Sequence, residues 1–363
     1  MKFTMSADEF RRVVGAVAGA AAQKSTHEAL KCILITTGSG VVMLRANDLE
    51  IGAEQCTMQP LIGEDGIVCL PARELAALAK DIGDDEVTVR QLKQSVEIKS
   101  GALTVRLVGP DPSSFPFSNE PRSIGEVTVK GADLVTALRE TIYATAKEET
   151  RYAINGVLLE INKDLTVVAT DGRRLAVRSL PITREPANDL VAIIPLRTAQ
   201  MIVKWADEDQ DVEIAVAKDS ITFSQEDSKI FSRLLDSRFP SWRQVIPQSP
   251  TGKIRVERAR LMAGLRQAAV VLSGKDMRAL NLEFTADSEM RIEAEQSATG
   301  TAVASVPCES NVALRVAVNA DYLIEPLRAS SADVVEFNVT DGSAPMLIEI
   351  GKLQYILMPI TAS

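Results

Sequence analysis

The sequence predicts an α+β chain built from three similar domains, and three observations carry that reading. At 363 residues the chain is too long for one ordinary core. Several motifs recur with a spacing of 124 residues. Within each repeat, strand-like segments of alternating polarity outnumber helix-like ones, the pattern of antiparallel sheets with one solvated face.

Each repeat opens with a helix. Phe10, Val13, Val14 and Val17 share one helical face in the first repeat, and Leu134, Leu138 and Ile142 do so in the second. Leu261, Leu265, Ala269 and Leu272 do the same in the third. Apolar strand-like runs at 67–70, 191–194 and 314–318 come next. They lead into second helices that open at Pro71, Pro195 and Asn319, each 124 residues after the last. Alternating segments at 84–90, 210–216 and 332–339 then read as strands. Phe115-Pro116 and Phe239-Pro240 close the first two repeats, again 124 apart, and the third runs out near Tyr355. The spacing of the opening helices slips between the second and third repeats, which an insertion near Pro250-Thr251-Gly252 explains. Loop formers around Pro121 and Pro250 set the domains at 1–122, 123–249 and 250–363. Repetition by itself fits a closed symmetric assembly and an open array equally.

Composition narrows the chemistry. Apolar residues make up 46% and charged residues 25%, as in ordinary soluble globular proteins. No apolar run is long enough to span a membrane, and the first residues turn acidic at once, so no membrane association and a cytoplasmic location are expected. Cys32, Cys56, Cys69 and Cys308 lack metal or redox spacing and read as reduced core thiols. His27 is the single histidine, which leaves little for a zinc site or a His-based triad. No catalytic residue, cofactor or metal is expected. A net charge of −9 argues against holding DNA through average charge, though not against a ring with a mildly basic lining.

The start Met1-Lys2-Phe3-Thr4 and the segments 150–157, 168–177 and 236–247 resemble the bacterial sliding clamp, the beta subunit of DNA polymerase III. So does the ending Tyr355-Ile356-Leu357-Met358-Pro359-Ile360. The resemblance spans the whole chain in order. It implies a head-to-tail homodimer forming a six-domain ring, with helices inside, antiparallel sheets outside and double-stranded DNA encircled without regard to sequence. Other partners implied are the polymerase III alpha subunit, the clamp-loader complex and further proteins carrying a clamp-binding motif.

Three surfaces follow from the resemblance. Lys24, Arg73, Lys147, Tyr152 and Arg197 are DNA-contact candidates, and Arg266 joins them from the basic helix of the third repeat. A pocket for partner peptides would use Arg151, Ile154, Thr170, Gly172, Arg173, Arg174, Leu175, Pro240 and Val245. Asn319, Tyr322, Ser343, Ile356, Leu357, Met358, Pro359 and Ile360 would complete it. Flexible, polarisable Met358 suits varied ligands. Val105 and Leu107 on one side, and Val271 and Leu272 on the other, would close the ring. This chain departs from the family pattern at Ala153, Arg173, Gln244 and the tail Thr361-Ala362-Ser363, which bears on peptide preference and on one DNA contact.

Two other classes remain to be weighed. The acidic runs Asp84-Asp85 and Asp207-Glu208-Asp209 would serve a hydrolase, but they stand at repeated helix-to-strand turns, where acidic residues are common. A protein-only scaffold that does not encircle DNA is the second alternative, motivated by Ala153 and the modest basic bias.

Overall fold

The computed structural model describes residues 1–83, 86–116, 122–147, 153–272, 278–285, 288–296 and 299–360. Asp84 and Asp85 lie outside the described residues, as do Arg151, Tyr152 and the tail 361–363. The element order repeats three times: strand, helix, four strands, helix, three strands, with an additional short strand, Leu61–Glu64, in the first repeat.

The helices start where local chemistry starts them. Helix α1 (Ala7–Ala18) is capped by Ser6, whose Oγ accepts from the Glu9 N–H at 3.2 Å. Its apolar stripe, Phe10, Val13, Val14 and Val17, is fully buried, at roughly 1.5–3 kcal/mol for each large side chain removed from water. Helix α2 (Ala72–Asp81) begins at Pro71. Helices α3 (Gly131–Arg139), α4 (Leu196–Trp205) and α5 (Arg258–Ala268) take the matching places. Helix α6 (Ala320–Ala329) is capped by Asn319, whose Oδ1 accepts from the Asp321 N–H at 2.9 Å. The opening helices are shorter than their apolar period suggests. Ile142 falls in a 3-10 turn after α3, and α5 gives way to the 3-10 turn Ala269–Val271 with Leu272 beyond it.

Two compact units form. The first contains Met1–Ala132, Thr183–Asn188 and Gln200–Leu234. One of its sheets runs Leu61–Glu64, Lys2–Ser6, Glu86–Gln91, Val96–Ser100, Leu103–Leu107. The other is an antiparallel ladder in the order Gly125–Lys130, Asp211–Val216, Ser220–Gln225, Ser228–Arg233, Ile51–Thr57, Val41–Asn47, Cys32–Gly38, Gly66–Pro71. The ladder is continuous because Ser228–Arg233, which closes the second repeat, pairs with Ile51–Thr57 of the first, with Ile230 opposite Ala53.

The second unit contains Asp133–Ile182, Asp189–Ala199 and Leu235–Ser363. Its long ladder runs Leu190–Pro195, Gly156–Ile161, Asp164–Thr170, Arg174–Arg184, Leu353–Leu357, Met346–Ile350, Val334–Val339, Gly252–Glu257. Here Leu353–Leu357, closing the third repeat, pairs with Arg174–Arg184 of the second, with Ala176 opposite Tyr355. A shorter sheet runs Leu314–Asn319, Ala279–Phe284, Glu289–Gln296, Gly300–Ser310. Its core centres on Phe284 and Phe337, whose rings lie 5.8 Å apart.

Both junctions obey one rule: the last strand of a repeat joins the third of the four middle strands in the preceding repeat. Two strands of these types are left over, Leu103–Leu107 and Gly300–Ser310. Leu103–Leu107 pairs only with Val96–Ser100 among the described residues. Among the described residues, Gly300–Ser310 pairs along one side with Glu289–Gln296, and on the other only at Cys308–Ser310, with Gly252–Glu257.

Candidate functional site

The turn after Asp164–Thr170 is built by its own side chains. Gly172 has φ +85, a conformation that glycine adopts without strain. Asp171 Oδ1 accepts from the N–H groups of Arg173 and Arg174 at 2.9 and 3.1 Å, and Thr170 Oγ1 donates to the Arg174 carbonyl at 2.6 Å. The geometry leaves Arg173 exposed and turns Arg174 inward.

Arg174 is a hub. Its Nε donates to Asp171 Oδ2 at 2.9 Å, one terminal nitrogen donates to the Tyr143 carbonyl at 2.6 Å, and the other bonds the Glu325 carboxylate. The guanidinium lies 4.2 Å from the centroid of the Tyr322 ring. The Tyr355 hydroxyl donates to the Tyr322 carbonyl at 2.7 Å. Burial pushes the Tyr143 and Tyr355 phenols well up, so both stay neutral. Arg174, expected as a pocket residue, is committed to holding Tyr322 and the turn in place. Glu325, its carboxylate partner on α6, was missed by sequence reasoning, since nothing local marks it.

The other pocket candidates divide by exposure. Leu175 and Ile356 stand opposite each other across the ladder, both buried, and Leu357 is buried beside them. All three are core side chains of the ladder. Thr170 is also buried, and Asn319 is engaged as the α6 cap. Met358 and Val245 are exposed, as are Gly172, Arg173 and Ser343, while Ile154, Pro240, Tyr322, Pro359 and Ile360 are half-buried. The chain end is pinned by backbone bonds: the Met358 N–H donates to the Arg173 carbonyl at 3.0 Å, and the Ile360 N–H donates to the Ala317 carbonyl at 2.7 Å. Ala153 packs in an apolar cluster with Leu158, Leu175, Ile193, Trp242 and Ile356.

Among the DNA-contact candidates, Lys24 and Arg73 are exposed and line one cavity of about 950 Å³, together with Lys31, Glu28 and Glu74. Lys147 and Arg266 are exposed, and Arg197 is half-buried on α4. Several arginines of the third repeat are engaged within the chain. Arg258 donates to the Ala332 and Leu327 carbonyls at 2.6 and 3.0 Å, and Arg260 pairs with Glu257 at 2.7 Å. Arg255 lies near Glu309 and Glu336. The acidic run at 207–209 forms a turn in which Asp207 Oδ1 accepts from the Asp209 N–H at 3.0 Å.

At the strand edges, Val105 and Leu107 are half-buried, and Leu103 on the same face is 42% exposed. Leu272 is buried and Val271 packs half-buried on the C-terminal core. The side chain that this turn presents to solvent is instead Val270, 77% exposed. Val303, on Gly300–Ser310, is 55% exposed. Val270 immediately precedes the two residues expected at the interface.

The three family models of the DNA polymerase III beta subunit match in chain order: the N-terminal domain over residues 1–118, the central domain over 128–241 and the C-terminal domain over 243–360. The beta sliding clamp of Escherichia coli K12 is 26% identical over 369 residues, covering 99% of this chain and 100% of that protein. The beta sliding clamp of Chlamydia pneumoniae is 24% identical over 364 residues, covering 99% of each. A crystal structure of the Pseudomonas aeruginosa sliding clamp bound to griselimycin superposes with a TM-score of 0.92 at 24% identity, covering all of both chains. The chain belongs to the family of the DNA polymerase III beta subunit, the sliding clamps, which serve a DNA polymerase as non-catalytic processivity factors.

Proposed function

We propose that this sliding clamp encircles duplex DNA as a head-to-tail homodimer and tethers the replicative polymerase to its template. The observation that carries the reading is the pair of leftover strands. Two junctions of one kind are made inside the chain, and the components of a third, Leu103–Leu107 in the first unit and Gly300–Ser310 in the second, are left over. A second copy supplies what each lacks. Such a heterologous contact closes into a ring when the rotation allows it, and it removes edges that would otherwise invite uncontrolled pairing. Exposed Leu103, Val303 and Val270 are the apolar side chains for that contact, with Val105 and Leu107 beside them.

In this reading the domains are 1–122, 123–249 and 250–363, six to a ring. Lys24, Arg73, Lys147, Tyr152, Arg197 and Arg266 face the DNA backbone, which a sliding lining must attract without reading bases. Peptide segments of the polymerase alpha subunit, the clamp loader and other partners dock against Met358, Pro359, Val245, Pro240, Ile154 and Arg173, over the buried wall of Leu175 and Ile356. The chain carries no chemistry of its own within a nucleotidyltransferase holoenzyme, and it works in the cytoplasm.

The test is retention on a singly nicked circular plasmid with a clamp loader and ATP, before and after linearisation. Retention on the circle with loss from the linear form is expected. Equal binding to both forms refutes encirclement. Binding to neither, with an active loader, favours a protein-only scaffold, the reading that the internally paired arginines of the third repeat would support.

A further inference from the structure

A second cavity, of about 590 Å³, adjoins the proposed peptide pocket and shares Pro240 with it. Its floor is apolar: Leu158, Ile193 and Trp242 are each at most 8% exposed, and Phe239 packs against them half-buried. Its rim is cationic. The Arg243 guanidinium lies 4.1 Å from the Trp242 ring centroid and bonds Glu160 at 2.6 Å, while Trp242 Nε1 donates to the same carboxylate at 3.2 Å. Arg238, exposed at the other side, has no ion-pair partner among the described residues. Glu160 therefore offsets one of the two arginines and leaves one positive charge at the mouth.

Two features tie this cavity to the pocket. Pro240 belongs to the cavity lining and to the pocket candidates. The floor residues Leu158, Ile193 and Trp242 share one apolar cluster with Leu175 and Ile356, the buried wall of the pocket. The cavity floor and the pocket wall therefore belong to the same face of one sheet.

We infer that this cavity is an accessory subsite for the flank of a docked partner peptide, taking one aromatic or large aliphatic side chain onto Trp242 and one neighbouring carboxylate onto Arg238. The inference rests on the peptide-pocket reading above. An apolar floor under a rim with one cation unpaired among the described residues selects an acidic-aromatic pair: the side chain is desolvated on the floor while the carboxylate meets that charge. A basic flank would face Arg238 and Arg243 together and be disfavoured.

The experiment uses the full-length protein with Trp205→Phe, which leaves Trp242 as its single tryptophan. Three synthetic peptides are titrated: the polymerase's docking motif alone, and the motif extended at either end by Gly-Gly-Asp-Phe. One extended peptide is expected to bind about tenfold tighter than the motif, the gain typical of one well-seated anchor, and to change Trp242 emission where the motif alone does not. Arg238→Glu, at an exposed position, should remove that gain and leave the motif's own affinity unchanged. Replacing the added Asp-Phe by Lys-Phe should remove it too. If the motif binds but neither extension gains affinity nor moves Trp242 emission, the inference is overturned and the pocket reading stands. If the motif itself does not bind, the pocket reading fails first and this subsite falls with it.

Discussion

At the scale of single residues, buried polar groups decide most. Arg174 is 5% exposed and has carboxylate, carbonyl and ring partners around its whole guanidinium. Removing Arg174 leaves Asp171 Oδ2, on a side chain only 14% exposed, and the Tyr143 carbonyl without this donor, while Glu325, 37% exposed, keeps access to water. Arg174→Met is therefore expected to cost about 3–5 kcal/mol, read from urea unfolding, and to weaken partner-peptide binding because Tyr322 loses its support. A stability within error of the parent would show the network to be dispensable. Glu9 gives a pH effect. A hydrogen bond from Arg12, with a further one from Thr57, holds its carboxyl below the ordinary value of 4.5 despite burial. A depressed value means that the stabilisation is complete above pH 4.5 and is lost as pH falls through the lowered value. Because Arg12 is half exposed, the effect is on the order of 1 kcal/mol. Glu9→Gln should remove that part of the acid sensitivity, so parent and variant unfolding midpoints should converge on acidification. Midpoints that keep a constant gap down to pH 3 would count against it.

At the scale of elements, the closing strands of the second and third repeats each do two jobs. Leu353–Leu357 completes its own sheet on Met346–Ile350 and extends the ladder onto Arg174–Arg184. Ile356 and Leu357 are core residues, whereas Met358 is exposed. A truncation that removed Ile356 would therefore unfold the ladder as well as the site. Deleting residues 358–363 separates the two roles. The deletion should lower peptide affinity at least about tenfold, by loss of Met358 as an anchor, while thermal unfolding shifts only slightly. Unchanged peptide affinity would move the pocket elsewhere.

At the scale of the whole molecule, the two leftover strands make the dimer testable. Leu103→Glu combined with Val303→Glu puts charge into the proposed contact from both sides, where an apolar environment makes it costly. Monomers are expected by light scattering, with the unfolding of each chain little changed, because both side chains are exposed in the single chain. Leu272→Glu would be a poorer probe, since it would place a carboxylate in the C-terminal core. A double variant that remained dimeric would show that copies meet by other surfaces.

The sequence by itself determined the threefold repeat, the opening helices with their buried stripes and most of the strands. These are local matters: a period of 3.6 or 2 is written within a dozen residues, and Ser6 or Asn319 caps a helix that starts beside it. The family was legible for the same reason, in short runs such as the segment around Thr170, Asp171 and Gly172. What the tertiary structure alone decided is which side chains remain free to act. Arg174 and Glu325 are 151 residues apart in sequence, and no local pattern announces that one neutralises the other. Arg258 is held by the Leu327 and Ala332 carbonyls, which are distant in sequence. Val270 rather than Leu272 faces solvent because the helix ends a turn early and its last apolar residues fold back onto the core. Charge and apolarity are properties of a residue, but availability is a property of its neighbours, and long-range strand pairing chooses the neighbours.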